Sequence, residues 1–348
     1  MIKIGSKKIS KDSPVFIIAE AGVNHNGKLT LAKKLVDAAK SAGVDAIKFQ
    51  TFKTKNVVTA QAGVASYQRK NTGKNHSQFN LLKKLELSYQ DFRTLKKYCD
   101  HKGIMFLSAP HSPDAVDFLQ PLMPAYKIGA GDLTNLPFLK AVAKKFKPII
   151  LSTGMADLKE VRQAVATIKR AGNNKIILLH CTTNYPCPDK EVNLRAMETM
   201  MKIFPAYLIG YSDHTGDLHT STMAVTLGAR VIEKHFTLDK KMSGPDHQAS
   251  IEPQELKSLV KSIRRVEVIL GSKIKKPTRN ELMIREKIRK SVVAIKSIKK
   301  GERLSLDNVG IKRPGNGLAP KYFDRLLGKV AKRNIAVDKL ISRSDYGR

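Results

Sequence analysis

Apolar residues in this chain gather into eight strand-length runs, and each run closes on polar or ionisable residues. The runs are VFIIAE (15–20), AIKFQ (46–50), IMFLSAP (104–110), AYKIGAGD (125–132), PIILSTGM (148–155), KIILLHCTT (175–183), YLIGYSDHT (207–215) and VIEKHFT (231–237). Between most neighbours lies sequence with apolar positions at helical spacing, clearest in 29–43, 88–103, 156–172 and 251–271. Ser88 is a plausible N-cap for the second of these, and Gly43 and Gly103 are placed to end the first two. Strands alternating with helices predict a parallel sheet, and eight such units predict a closed (β/α)8 barrel.

A barrel of this kind carries its active site at the C-terminal ends of its strands. Buried parallel strands read as apolar runs whatever a protein does, so the runs alone say nothing of chemistry. The residue types at their ends say more: Glu20, Lys48, Gln50, Lys127, Asp132, Ser152, Thr183, Tyr185, Ser212, His214, Glu233 and His235. Ionisable and hydrogen-bonding groups repeated in the last turn of a strand predict a catalytic rim.

The length of 348 residues allows a barrel of about 250 residues and a small second domain. The texture changes after Gly271. Residues 1–271 read as the barrel, the polar stretch 272–290 as a linker, and 291–348 as a small β-rich domain with turns at KKGE and RPGNG. That last piece is too short to bury much core alone, which predicts that it packs against something. The segment 53–87 is longer than a usual βα loop, and its polar part, SYQRKNTGKNHSQ, is placed to shape a substrate pocket.

Composition narrows the class. The start, MIKIGSKKIS, has no apolar core of a signal peptide, and no apolar stretch approaches a membrane span. Three cysteines without zinc-like pairing suit a reducing, cytoplasmic setting. The formal net charge of +33 raises nucleic-acid binding as an alternative. Against it, the basic residues are mostly lysines spread along the whole chain, Trp is absent, and no binding motif is present. A solvated basic surface that also attracts anionic metabolites is the simpler reading.

His214 and His235 close consecutive runs, which puts both on one rim within reach of a single cation. Two imidazoles with open positions suit a borderline divalent metal such as Mn2+. Ser212, Asp213 and His214 are consecutive and cannot form a hydrolase triad among themselves. Lys48 and Lys127, with the hydroxyls of Ser152, Thr182, Thr183 and Ser212, can hold a phosphate and a carboxylate. A Schiff-base aldolase is the competing use for a barrel lysine.

The ordered strings EAGVNHNG (20–27), IKFQTF (47–52), YKIGAGD (126–132), LSTGM (151–155), HCTTNYP (180–186), GYSDHT (210–215), EKHFT (233–237) and SGPDHQAS (243–250) resemble the sialic acid synthase family. The string IKRPGNGLAP (311–320) resembles that family's C-terminal SAF, or antifreeze-like, domain, so the resemblance spans essentially the whole chain. It implies condensation of phosphoenolpyruvate with N-acetylmannosamine and water, giving N-acetylneuraminate and phosphate by C–O cleavage. A 2,4-diacetamido-2,4,6-trideoxyhexose, leading to a legionaminic or pseudaminic acid, is the alternative substrate. By resemblance His214 and His235 hold the metal, usually Mn2+ with Mg2+ or Co2+ as substitutes, and Glu233 organises that site. Lys48, Lys127, Ser152, Thr183 and Ser212 bind phosphoenolpyruvate, while Glu20, Gln50, Tyr185 and Asp246 surround the sugar. The resemblance also implies a domain-swapped homodimer in which Arg313 reaches a partner's sugar site. Three positions depart from the family's pattern: Ala109 and Ala130 stand where hydroxyls are common, and Asp132 where Glu is frequent.

Overall fold

In the computed structural model, which describes residues 1–63 and 77–347, the apolar runs are the staves of a barrel. They form β3 (Phe16–Gly22), β4 (Ala46–Thr51), β5 (Met105–Pro110), β6 (Tyr126–Ile128), β7 (Ile149–Ser152), β8 (Ile176–His180), β9 (Leu208–Asp213) and β10 (Val231–His235). Hydrogen-bonded parallel pairing runs β5–β4–β3–β10–β9–β8–β7–β6, and β5 and β6 lie side by side to complete the ring. Almost every strand residue is buried, because one face lines the barrel and the other meets the helices.

The helices start and stop where local chemistry dictates. Ser88 accepts a hydrogen bond from the Asp91 N–H, and the Asp91 carboxylate accepts one from the Ser88 N–H, so the helix Tyr89–Lys102 opens on a reciprocal cap. Such a cap contributes about 1 kcal/mol. The helix ends at Gly103, whose φ of 64° is left-handed. Phe92, Leu95 and Cys99 form its buried face. The helices Leu29–Ala42, Leu158–Arg170 and Pro253–Leu270 bury comparable stripes, so the predicted connections are observed.

A short antiparallel hairpin precedes the barrel, with β1 (Ile2–Ile4) paired to β2 (Lys7–Ile9). Its turn lies against Met105 and Pro124, which lead into β5 and β6, and Ile4 and Ile9 are buried in the main core. The hairpin therefore packs at the N-terminal face, away from the chemistry.

Behind the catalytic rim lies a fully buried ion pair, Lys234 to Asp213 at 3.0 Å. Both alternate along their strands with the inward-facing site residues. Asp213 also accepts from the Thr215 amide and hydroxyl and from the Ser221 hydroxyl, and Lys234 donates to the Thr215 carbonyl at 2.7 Å. Every charge in this pair is met, as burial demands.

The chain divides into two compact units, Met1–Gly271 and Ser272–Arg348. The second contains a helix, Arg279–Ile288, and the strands β11 (Ser291–Ala294), β12 (Val309–Lys312), β13 (Val330–Ala331) and β14 (Tyr346–Gly347). Contrary to the expectation from its length, it has its own apolar core, built on Val292, Ile298, Leu304, Val309, Leu326 and Ile341. Its loops are tied down by backbone hydrogen bonds such as Ile298 to Ile335 in both directions, which lets little regular strand enclose that core. Most of the polar stretch expected to shape the substrate pocket lies outside the described residues.

Candidate active site

Strand register brings the ionisable groups to one level of the barrel mouth. His235 pairs with Glu20, Glu20 with Lys48, and Glu233 with Ser212. Glu20, Lys48, Gln50, Lys127, Ser152, Tyr185, Ser212, His214, Glu233 and His235 all line a single cavity there. A larger cleft of about 620 Å³, lined by Asp189, Asp217, His219 and apolar neighbours, lies beyond β8 and β9. It has no comparable cluster of buried charge, so the smaller cavity is the candidate site.

Its floor is a network of two lysines and two glutamates. Lys48 Nζ lies 2.6 Å from Glu20 and 3.7 Å from Glu233, and Lys127 Nζ lies 3.5 Å from Glu233. Lys127 also donates to the Ser152 hydroxyl at 2.7 Å, and Ser212 donates to Glu233 at 3.2 Å. Burial opposes every one of these charges. For Lys48, Glu20 and Glu233 outweigh that cost and hold its ammonium above the usual range. For Glu233, Lys127 and Lys48 outweigh it and keep the carboxylate ionised. Lys127 is pulled down by burial, which its neighbours only partly offset. Glu20 is pushed up to about 7, chiefly by burial, with Lys48 opposing and Glu233 adding to the shift.

The two histidines face this network. Their ring centroids are 5.6 Å apart, and Tyr185 stacks over His214 at 4.2 Å. The Nδ1 of His214 is 2.7 Å from the Thr182 carbonyl, so it carries the hydrogen and Nε2 presents a lone pair. That lone pair can accept from the Tyr185 hydroxyl at 3.3 Å, and the Ser212 oxygen lies at the same distance with its hydrogen directed to Glu233. His235 Nδ1 is buried without a hydrogen-bond partner. Burial lowers the pKa of His214 to about 4 and pushes that of His235 well below its normal value. Both rings are therefore neutral near pH 7, as metal ligation requires. Among the described residues no third His, Cys, Asp or Glu completes a metal-binding group with them. The donor set fits a divalent cation with coordination positions left for water and substrate.

The NeuB family profile matches residues 35–275, and an SAF domain profile matches residues 289–346. This chain belongs to the NeuB family. As a NeuB-family protein it is a phosphoenolpyruvate-condensing synthase, and enzymes of the family are metal-dependent. It is 49% identical over 328 residues to the N,N'-diacetyllegionaminic acid synthase of Campylobacter jejuni subsp. jejuni serotype O:2, covering 93% of this chain and 98% of that one. It is 38% identical over 331 residues to the N-acetylneuraminate-9-phosphate synthase of Homo sapiens, covering 94% and 91%. Among solved structures, the spore coat polysaccharide biosynthesis protein spsE of Bacillus subtilis matches with a TM-score of 0.68 and 37% identity, over 100% of this chain and 99% of that one.

Two barrel residues expected at this NeuB site, Thr183 and Asp246, stand outside the cavity lining. Thr183 sits beside Gly154, and its buried hydroxyl has no hydrogen-bond partner. Asp246 is buried within electrostatic reach of Lys48, and burial raises its carboxyl to about 6. Arg313 is exposed, just beyond β12 in the second unit. Ala109 and Ala130 line the cavity with methyl groups, beside His111 and Cys181. His111 was missed by the sequence reading because it follows its apolar run rather than closing it.

Proposed function

We propose that this chain condenses phosphoenolpyruvate with a 2,4-diacetamido-2,4,6-trideoxymannose and water, giving a diacetyllegionaminic-type acid and phosphate. The observation that carries the chemistry is the buried Lys48–Lys127 network facing two neutral histidines. Resemblance alone implies N-acetylmannosamine. The 49% identity to a diacetyllegionaminic acid synthase, against 38% to the human neuraminate-9-phosphate synthase, favours the diacetamido sugar.

Charge complementarity supports the substrate. Two lysines against two glutamates leave the network near neutrality. A divalent cation on His214 and His235 would make the mouth strongly positive, matched to a ligand bearing a phosphate and a carboxylate. Bound there, the cation would supply Lewis-acid polarisation of the sugar's aldehyde. Lys48 and Lys127 hold the phosphoenolpyruvate anion, with Ser152 and Ser212 as hydroxyl donors. Carbon 3 then attacks the aldehyde carbon, and positive charge develops at carbon 2. Glu20, divided between acid and carboxylate near pH 7, provides the proton taken up by the aldehyde oxygen as it becomes a hydroxyl. Water adds to carbon 2 and loses one proton, and the new hydroxyl gives its remaining proton to the departing phosphate as C–O cleavage forms the ketone. The two ammonium groups stabilise the charge on the leaving phosphate.

Gln50, Tyr185, Asp246 and the orphaned Thr183 hydroxyl remain available to orient the substrates. A homodimer belongs to the same proposal. Leu282, Met283, Ile284 and Ile288 leave an apolar surface exposed on the helix Arg279–Ile288, as do Val268, Ile269 and Leu270 at the end of the preceding helix. Surfaces of this kind mark interaction sites. In that assembly Arg313 is assigned to the sugar's acyl group. The direct test compares kcat/KM for the diacetamido sugar and N-acetylmannosamine, with mass analysis of the product. A preference for N-acetylmannosamine overturns the sugar assignment. Phosphoenolpyruvate labelled with 18O at its bridging oxygen should deliver the label to phosphate, and label retained in the sugar acid would contradict C–O cleavage.

A further inference from the structure

The barrel order sets β5 and β6 opposite β9 and β10, which carry the histidine pair at their ends. On this far side the wall contributes the methyl groups of Ala109 and Ala130, and neither can bind an anion. Beside them His111 lines the same cavity. Its amide donates to the Thr51 carbonyl at 3.2 Å, which extends the β4–β5 ladder and fixes the backbone. Its ring meets Phe52 edge-on, with centroids 6.3 Å apart. Nδ1 lies 3.7 Å from the Asp132 carboxylate, at the end of the turn that follows β6. Nε2 is buried and has no hydrogen-bond partner.

A buried ring nitrogen without a partner is destabilising, so its presence in a polar cavity points to a ligand atom. We propose that His111, positioned by Asp132, binds an anionic oxygen of phosphoenolpyruvate on the β5–β6 side of the cavity. The inference rests on the phosphoenolpyruvate reading above. A carboxylate at Nδ1 and an anionic oxygen at Nε2 hold the ring between two negative groups. The charge-assisted bond replaces donors that Ala109 and Ala130 lack. It lies across the barrel from the histidine pair, where the end of the ligand farthest from the reacting aldehyde would sit. His111 is a binding residue on this account, and Asp132 acts through it.

The test is calorimetric titration of phosphoenolpyruvate into the full-length, Mn2+-loaded protein without sugar, using wild type, His111→Phe, His111→Gln and Asp132→Asn. His111→Phe should weaken binding about tenfold or more, the scale of a lost charge-assisted hydrogen bond. His111→Gln keeps a donor and should recover part of the loss. Asp132→Asn should weaken phosphoenolpyruvate binding while the KM for the sugar holds. Unchanged affinity in both His111 variants, with thermal melts like wild type, overturns the inference and leaves the function intact. Failure of the wild-type protein to bind phosphoenolpyruvate overturns both.

Discussion

At the scale of single residues, the site works by setting protonation states through burial and neighbours. His214 and His235 stay neutral because desolvation penalises the imidazolium, which leaves their lone pairs for a cation. His235→Ala should lower metal-stimulated phosphate release at least about 100-fold, and restored Mn2+ should not rescue it. Full activity after chelation and metal restoration would sink the two-histidine site. Glu20 gives a second test. Its carboxyl, raised to about 7 by burial, keeps its proton below that pH and gains a negative charge above it. That charge competes with the ligand for Lys48, so phosphoenolpyruvate affinity should fall as pH rises from about 6 to about 8. Glu20→Gln removes this step, and comparing the two profiles cancels the ligand's own titration. Identical profiles would contradict the raised carboxyl. Lys48, Lys127, Glu233 and the histidines were legible as candidates because each is an ionisable group within an apolar run or at its end. His111 stands one residue beyond its run, and its role depends on Asp132 from the next strand, a pairing that no local pattern contains.

At the scale of elements, alternation along β9 and β10 separates chemistry from support. Ser212, Glu233 and His235 line the cavity, while Asp213 and Lys234 form the buried pair behind it. Lys234→Ala would leave Asp213 charged and unpaired, at a cost of about 3–5 kcal/mol. The melting temperature should then fall by roughly 10 °C. Joint replacement by Met at 234 and Leu at 213 should recover only part of that loss, because the charges are gone while the Thr215 and Ser221 donors lose their acceptor. A drop of only a degree or two in Lys234→Ala would show that the pair does not hold these strand ends. The eight strands and the long helices were readable from periodicity and caps. Two kinds of element were not. The three-residue strands of the N-terminal hairpin are too short to show alternation, although Ile4 and Ile9 bury fully. The run at 125–132 leaves strand geometry after Ile128, where Ala130–Asp132 tighten into a single turn that swings Asp132 toward His111.

At the scale of the whole molecule, a catalytic barrel is joined to a small SAF unit with its own core. The fold class followed from the repeat of runs and connections. The second core shows no periodic pattern because its apolar residues come from strands and a helix of only two to four residues and from the loops between them. No helix among the described residues is long and apolar enough to cross a membrane. The exposed apolar residues of the helix Arg279–Ile288 lead to a dimer prediction: light scattering should give twice the chain mass of 38.6 kDa. Arg313→Ala should raise the sugar's KM with little change in phosphoenolpyruvate affinity. A monomer that is fully active would refute the assembly.

The central claim, a metal-assisted condensation at the mouth formed by Lys48, Lys127, His214 and His235, is tested most directly by phosphate release from phosphoenolpyruvate. The protein is stripped of metal, then reconstituted with Mn2+, each with and without the diacetamido sugar. Release should require metal and sugar together and match the amount of nine-carbon keto acid formed. Undiminished release from the stripped protein, or release without sugar, would contradict the account.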